Sequence, residues 1–533
     1  TARPGPERAG MSTPNPGKTY HSIIIGGGHN GLVCAATLAR AGKSVLVLEA
    51  ATELGGAART REFAAGFKVS AGAHLLHALP GELIRDLDLV RHGLSFSAQA
   101  IPSHALRADG GSLRLAERKL DGSDISAADA AAYTRFSETM ARYAAALLPI
   151  LHMVPPRLVA ETWAQRFEFM KLAWQIRRMG RQDMRDLLRI IGMNMYDLLD
   201  EYFESESLKG ALALDAVLGA EWGPRAPGTV LTYLYRLAGM AGGMGVAQPA
   251  GGMGAVCNAI AKAASLAGAE LRTSTRVRRI AVENDRAFGV ELESGEVIRA
   301  EHVISNADPR TTFLSLLGPA HLDTGFVRKV HHLRASGRAG KLHLALTGLP
   351  SFKGLATTAL GDRLLIAPSM NYLERAFNPS KYHEYPTEPA LEISLPTVRD
   401  SSLAPTGRHV LSAVVQFLPY DNGPDRDDNR ARCLEAILDT LERHAPGLRG
   451  LVTAAELLTP WDIEQEFGMA GGHWHHAAMG FDQFFFIRPV PGAAQYRTPM
   501  DGLYLCGAGC HPGGGVMGIA GRNAALQVLR GEK

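Results

Sequence analysis

The stretch "YHSIIIGGGHNGLVCAATLARAGKSVLVLEA", Tyr20 to Ala50, decides the fold. Tyr20–Ile25 is a short apolar run, readable as a buried strand. From Gly28 to Ala41 the apolar residues Leu32, Val33, Ala36 and Leu38 recur at helical spacing, and Gly42 ends the helix. Ser44–Leu48 is a second buried strand that closes at Glu49. The whole is a βαβ unit of roughly 30 residues, the size that a dinucleotide-binding motif requires. At its first junction stands Gly26-x-Gly28-x-x-Gly31. Gly26 permits the tight turn, Gly28 lets main chain approach a pyrophosphate, and Gly31 allows helix and strand to pack closely. Free N–H groups at the helix start attract phosphate. Glu49 is placed to accept hydrogen bonds from a ribose.

Two further glycine clusters bear on which dinucleotide binds. "ELGGAARTREFAAGF" follows Glu49 and sets Gly55 and Gly56 where a second loop could cross the pyrophosphate. Near the carboxyl end, "GLYLCGAG" (Gly502–Gly509) predicts a strand, and "GGGVMGIAGRNAALQVL" predicts a helix bare of side chains at Gly513, Gly514 and Gly515. Such a helix start can lie against a flat ring, and its dipole favours negative charge at the ring edge. Cys506 and Cys510 are separated by three residues, one more than in a thioredoxin-like redox pair. His511 with two cysteines falls short of a zinc ligand set. The expectation is a flavin cradle with neither disulfide nor metal.

The chain has 533 residues and a formal charge of +3, with 58 glycines and five cysteines. That length predicts two domains. Near-balanced charge argues against nucleic acid as a partner, and few, odd-numbered cysteines argue for a reducing compartment. Met11 reads as the natural initiator, and the residues around it lack the apolar core of a signal peptide. The longest apolar stretch, Tyr143–Val154, is too short to cross a bilayer and contains Pro149. The expected location is cytoplasmic, at most peripheral to a membrane, or mitochondrial in a eukaryote. Self-association into a homo-oligomer is compatible with the sequence. After a mostly helical insertion over about residues 110–245, "AELRTSTRVRRIAVENDRAFGVELESGEVIRAEHVISNADP" reads as short strands with turns at Asn284–Asp285 and Ser294–Gly295. A third region, about 335–490, mixes strands with a helix at Arg432–His444.

"LYLCGAGCHPGGGVMGIAGRNAA", "AGGMGAV", "VISNADP" and "FIRPVPGAAQYRTP" together resemble the phytoene desaturase, carotenoid isomerase and retinol saturase branch of FAD-dependent oxidoreductases. Within it, the chain is similar to the group of pyridine nucleotide-disulfide oxidoreductase domain-containing protein 2 and its bacterial relatives. The resemblance runs from about Tyr20 to Leu529. It implies an α/β fold: a Rossmann-like FAD-binding domain of amine oxidase/phytoene desaturase type, with an inserted α+β substrate domain. The FAD domain would comprise 17–105, 246–315 and 497–533, and the substrate domain 106–245 and 316–496. FAD contacts would fall on Gly26, Gly28, His29, Asn30, Gly31, Glu49, Gly55, Gly56, Ala57, Val277, Gly507, Met517 and Gly518. The group's name promises a redox disulfide, but this sequence has no C-x-x-C. Many amine oxidases carry an acidic residue just after this strand's glycine, whereas here it is Ala508, as in the desaturases.

The reaction so implied is desaturation, saturation or isomerisation of carbon–carbon bonds in an apolar, isoprenoid or lipid-like substrate. Amine oxidation, or a flavin-bound protein that acts through partners with little turnover, are the alternatives. Desaturation needs a hydride acceptor and a destination for a proton. His74, His77 and His511 could serve, with His511 favoured by its place beside the glycines. "GGHWHHAAMGFDQFFFIRPVPG", Gly471–Gly492, reads as an aromatic cavity wall, with Arg488 and Asp482 paired or fixing the loop. Arg166–Leu199 carries aromatics and arginines at helical intervals, either a cover over the cavity or, within 157–199, a face for a membrane surface.

Overall fold

The computed structural model describes residues 19–122, 125–157, 163–421 and 423–531. Two sheets organise them. The first contains seven strands and is built on the βαβ unit. Tyr20–Ile25 lies between Val45–Leu48 and Val297–Ser305, parallel to both, and Glu270–Arg272 extends one edge. Leu503–Leu505 joins in parallel beside Val297–Ser305. An antiparallel arm of Val277–Glu283 and Arg286–Leu292 turns through Asn284 and Asp285, both at positive φ (51° and 57°). That is the backbone a two-residue hairpin turn demands. The helices His29–Arg40, Gly254–Leu266 and Ile519–Arg530 pack together on this sheet. Their approach is close: a β-carbon at Gly521 would lie 2.0 Å from the Asn30 carbonyl oxygen.

The second sheet has eight strands, in the order Val452–Leu458, Ala339–Leu346, His409–Gln416, Ala390–Ser394, Arg363–Ile366, Ser103–Leu106, Ser112–Ala116 and Lys119–Asp121. One face is apolar and carries the helix Arg426–His444 through Cys433, Ile437 and Leu441. Helices Ala127–His152, Glu206–Val217 and Thr229–Ala241 form a separate apolar core on the other side. Register places Lys341 opposite Val414, and Val414 opposite Glu392. Glu392 in turn faces Leu365, two residues beyond Arg363. Because side chains alternate along a strand, this row turns three charged residues to one face.

The domain boundaries predicted from sequence shift at three places. Ser103–Leu106 pairs with Arg363–Ile366 and belongs to the second sheet, so the first segment ends before residue 103. Phe326, Val330, Ala477, Val490 and Tyr496 are buried in the core of the nucleotide domain, although all lie within the predicted substrate segment 316–496. Apolar contacts, which ignore chain order, decide membership. The glycine-rich helix also differs. Gly513–Gly518 is irregular chain, and the helix begins at Ile519 after Gly518 at φ 73°. Glycines at φ 131° (Gly513) and 104° (Gly515) have conformations that no helix accommodates.

Candidate functional site

One cavity of about 390 Å³ runs between the two sheets. At the nucleotide domain it is lined by Gly26, Gly28, His29, Asn30, Glu49, Gly55, Gly56, Ala57 and Val277, all predicted from sequence. Gly26 turns the chain at φ 97°. A β-carbon at Gly31 would lie 2.2 Å from the Gly26 carbonyl oxygen, so Gly31 serves the packing of helix on strand and does not line the cavity. Gly28 pairs with Gly55 in an isolated bridge, which brings the two glycine loops together. Gly28 caps the helix without any side-chain hydrogen bond, leaving its first N–H groups to a ligand. Glu49 accepts from the backbone N–H of Gly27 (2.7 Å) and of Ala51 (2.8 Å), which fixes its carboxylate at the cavity rim.

These residues fit FAD. Bare main chain, a helix N-terminus and an acidic group at the end of the second strand are the donor set that a pyrophosphate and a ribose require. Asn30 Oδ1 and His29 Nε2 are buried without a protein partner, as groups awaiting a ligand would be. Burial lowers the His29 imidazole to about 4, with His476 adding to the effect. The ring is therefore neutral at physiological pH.

From the carboxyl-terminal loop, Ala508, Gly514, Gly515 and Val516 line the cavity, whereas Gly507, Met517 and Gly518, expected from sequence, do not. Tyr235 donates to the Gly514 carbonyl (2.5 Å) and holds the loop in place. A β-carbon at Gly514 would sit 2.3 Å from His475 Nδ1, which explains the glycine. His511, favoured in the sequence as the chemical residue, does not line the cavity. Its ring is fully buried, donates from Nε2 to the Ile150 carbonyl (3.0 Å) and packs on Phe485. Adjacency in sequence to the glycines misplaced it, because the chain turns its side chain away. All five cysteines are free and buried, and burial pushes the Cys510 thiol up to about 12.

The aromatic segment is bound into the site by Arg488, which does not pair with Asp482. Asp482 meets Arg334 at 2.6 Å. Arg488 is fully buried and donates to the carbonyls of Ala508 (3.0 Å), Cys510 (3.2 Å), Ala478 and Gln483 (both 3.3 Å), and also to His475. It therefore ties the wall Trp474–Met479 to the flavin loop. Trp474, His475, His476 and Met479 line the cavity, whereas His473 does not.

The chain's other domain contributes what the sequence did not reveal. Asp215, Arg236, Lys341 and Glu392 line the same cavity, with His74 and His77 beside them. Arg363 bridges Asp215 and Glu392. Arg236 spans the same two carboxylates, at 3.1 Å and 3.0 Å. Two carboxylates and two guanidiniums thus close a neutral ring. Burial opposes ionisation of Glu392, but Arg363 and Arg236 outweigh it and hold its carboxyl well below the ordinary range. Lys341 is only 2% exposed and hydrogen-bonds His74 Nδ1. Burial pushes its amine down to about 7, against the pull of Glu392. His74 is driven well below its usual value by burial and by Lys341, and burial with Arg236 takes His77 to about 3. These residues come from distant segments: strand register aligns Lys341, Glu392 and Arg363, two helices bring Asp215 and Arg236, and a loop brings His74 and His77.

With this geometry, similarity to known proteins can be weighed. The family described as flavin containing amine oxidoreductase matches residues 31–529. The chain belongs to this family. Its cofactor is FAD. Pyridine nucleotide-disulfide oxidoreductase domain-containing protein 2 of Rattus norvegicus is 36% identical, over 96% of this chain and 93% of its own. A limonene dehydrogenase subunit of Castellaniella defragrans is 27% identical over 95% and 94%. A putrescine oxidase structure superposes with a TM-score of 0.60 at 16% identity, covering 96% of this chain and 99% of that one. It shares the fold of this flavin family member.

Proposed function

We propose that this flavoprotein oxidises or reduces a carbon–carbon bond of a lipid-like molecule held between the glycine loops and the charged wall. One observation carries this reading over amine oxidation: every carboxylate lining the cavity is already satisfied. Asp215 and Glu392 are neutralised by Arg236 and Arg363. Glu466 pairs with Arg59 and Arg61 at 2.8 Å, Asp308 caps the backbone of Thr311 at 2.9 Å, and Glu49 is held by its own loop. None of these is left to hold an ammonium group. The relation to the limonene dehydrogenase subunit, named for a dehydrogenation and not for an amine, supports the same reading of the reaction.

Bound FAD supplies the hydride acceptor. The protein's residues orient and enclose the substrate. Leu218, Val414, Trp474 and Met479 offer apolar surface, and Tyr235 and Arg488 keep the flavin loop rigid. His74, with Nδ1 accepting from Lys341, carries its proton on Nε2 and is the neutral group best placed to exchange one. Anaerobic titration of the FAD-loaded protein tests the function. Bleaching by an isoprenoid or fatty lipid, and not by a primary or secondary amine, is expected. Bleaching by an amine alone overturns the reading, and bleaching by neither favours a role through partners.

We also propose that the helix Trp163–Arg177 rests on a membrane surface. Trp163, Phe167, Met170 and Trp174 are all more than half exposed, with Lys171, Arg177 and Arg178 nearby. Residues 158–162 of the predicted face lie outside the described residues. No described helix is long and apolar enough to cross a membrane.

A further inference from the structure

The charged wall of the cavity limits the kind of lipid it can take. A pure hydrocarbon would leave buried polar groups facing apolar carbon, which is unfavourable for each of them. The ring of Asp215, Arg236, Glu392 and Arg363 is internally satisfied and needs nothing from a ligand. Lys341 differs. Among the described residues no carboxylate forms an ion pair with its amine, and its one hydrogen-bond partner is the His74 ring, which cannot bear a negative charge there. His74 Nε2 is itself buried with no hydrogen-bond partner. The wall thus holds one potential cation without a charged partner, and the His74 N–H points to the opposite side of its ring from that amine.

We propose that Lys341, held by His74 Nδ1, forms a carboxylate-binding subsite, and that the substrate is an amphipathic carboxylic acid. The inference rests on the carbon–carbon reading above and gives it a substrate class. Charge decides between anions. The ring is neutral, so the wall holds a single cation in excess, which a monoanion balances and a phosphate dianion would exceed. The amine gives one N–H to His74 and keeps two others to donate to a carboxylate oxygen. The low proton affinity of the buried amine is the expected state of a lysine whose counter-ion arrives with the ligand. The alkyl portion then runs along Leu218, Val414 and Trp474 towards the glycine loops.

Binding to the oxidised, FAD-loaded protein, followed by calorimetry and by perturbation of the flavin spectrum, separates this idea from turnover. Dodecanoate should bind at least about tenfold more tightly than dodecanol. Lys341→Met should remove that preference while leaving dodecanol binding and flavin content unchanged, and Lys341→Arg should restore part of it. Equal affinity of native protein for acid and alcohol overturns the subsite without any variant, as does an undiminished preference in Lys341→Met. Should dodecanoate bind with the stated preference while no lipid bleaches the flavin, the subsite stands and the carbon–carbon reading fails. Bleaching by a hydrocarbon with no preference for acids leaves the carbon–carbon reading standing and removes the subsite.

Discussion

A single missing methyl group decides whether the first strand and helix can meet. A β-carbon at Gly31 would lie 2.2 Å from a backbone oxygen, whereas one at Gly28 would meet the side-chain end of Asn306 at 2.9 Å. Gly31→Ala should therefore lose about 1–3 kcal/mol of stability along with its flavin. Gly28→Ala should unfold near the native midpoint yet bind FAD more weakly, because a methyl there would hinder the close approach of main chain to a phosphate. Denaturant midpoints and bound-flavin spectra report both. Lys341 makes a second prediction. Its amine titrates at about 7 in the folded chain and at 10.5 ordinarily, so between those values the unfolded chain holds the extra proton. Stability relative to Lys341→Met should then rise with pH across that window, by up to about 1.4 kcal/mol per unit, and be constant below it. The groups that face Lys341 do not obscure this: His74 and His343 are already neutral, while Glu392 and Arg363 stay charged. The roles of Gly26, Gly28 and Gly31 were legible in the sequence because turn, approach and packing are local demands. The position of His511 was not, since the direction of a side chain in a glycine-rich loop depends on contacts such as that with Ile150.

Among elements, the segment from Trp474 to Cys510 is held chiefly by one side chain. Arg488→Met would strip donors from the carbonyls of Ala478, Gln483, Ala508 and Cys510 at once. A loss of at least about 3 kcal/mol in guanidinium unfolding, with faster release of FAD, is expected. The sequence offered two roles for Arg488, and burial without a carboxylate leaves the one that fixes the loop. The helix Trp163–Arg177 carries a separate expectation. The protein should float with liposomes containing anionic lipid, and replacing Trp163 and Trp174 by Ser should abolish flotation without altering flavin content. Equal recovery with and without anionic lipid would remove the membrane proposal. Helix and strand positions around the βαβ unit were readable from periodicity alone. The delayed start of the last helix was not, because periodicity cannot register the positive φ values of Gly513 and Gly515.

At the scale of the whole molecule, the two sheets meet at a cavity to which each contributes a different chemistry. The glycine side was visible in sequence as compact motifs. The charged side was invisible, since Asp215, Arg236, Lys341, Arg363 and Glu392 converge only when long-range register brings Lys341, Val414 and Glu392 into one row. The first sheet draws its strands from three widely separated parts of the chain, and Leu503–Leu505 is the last of them. A ribosome has therefore translated some five hundred residues before this binding site can exist. A released chain that ends at residue 500 should carry no quenched flavin fluorescence and no protease protection, and the full chain should show both.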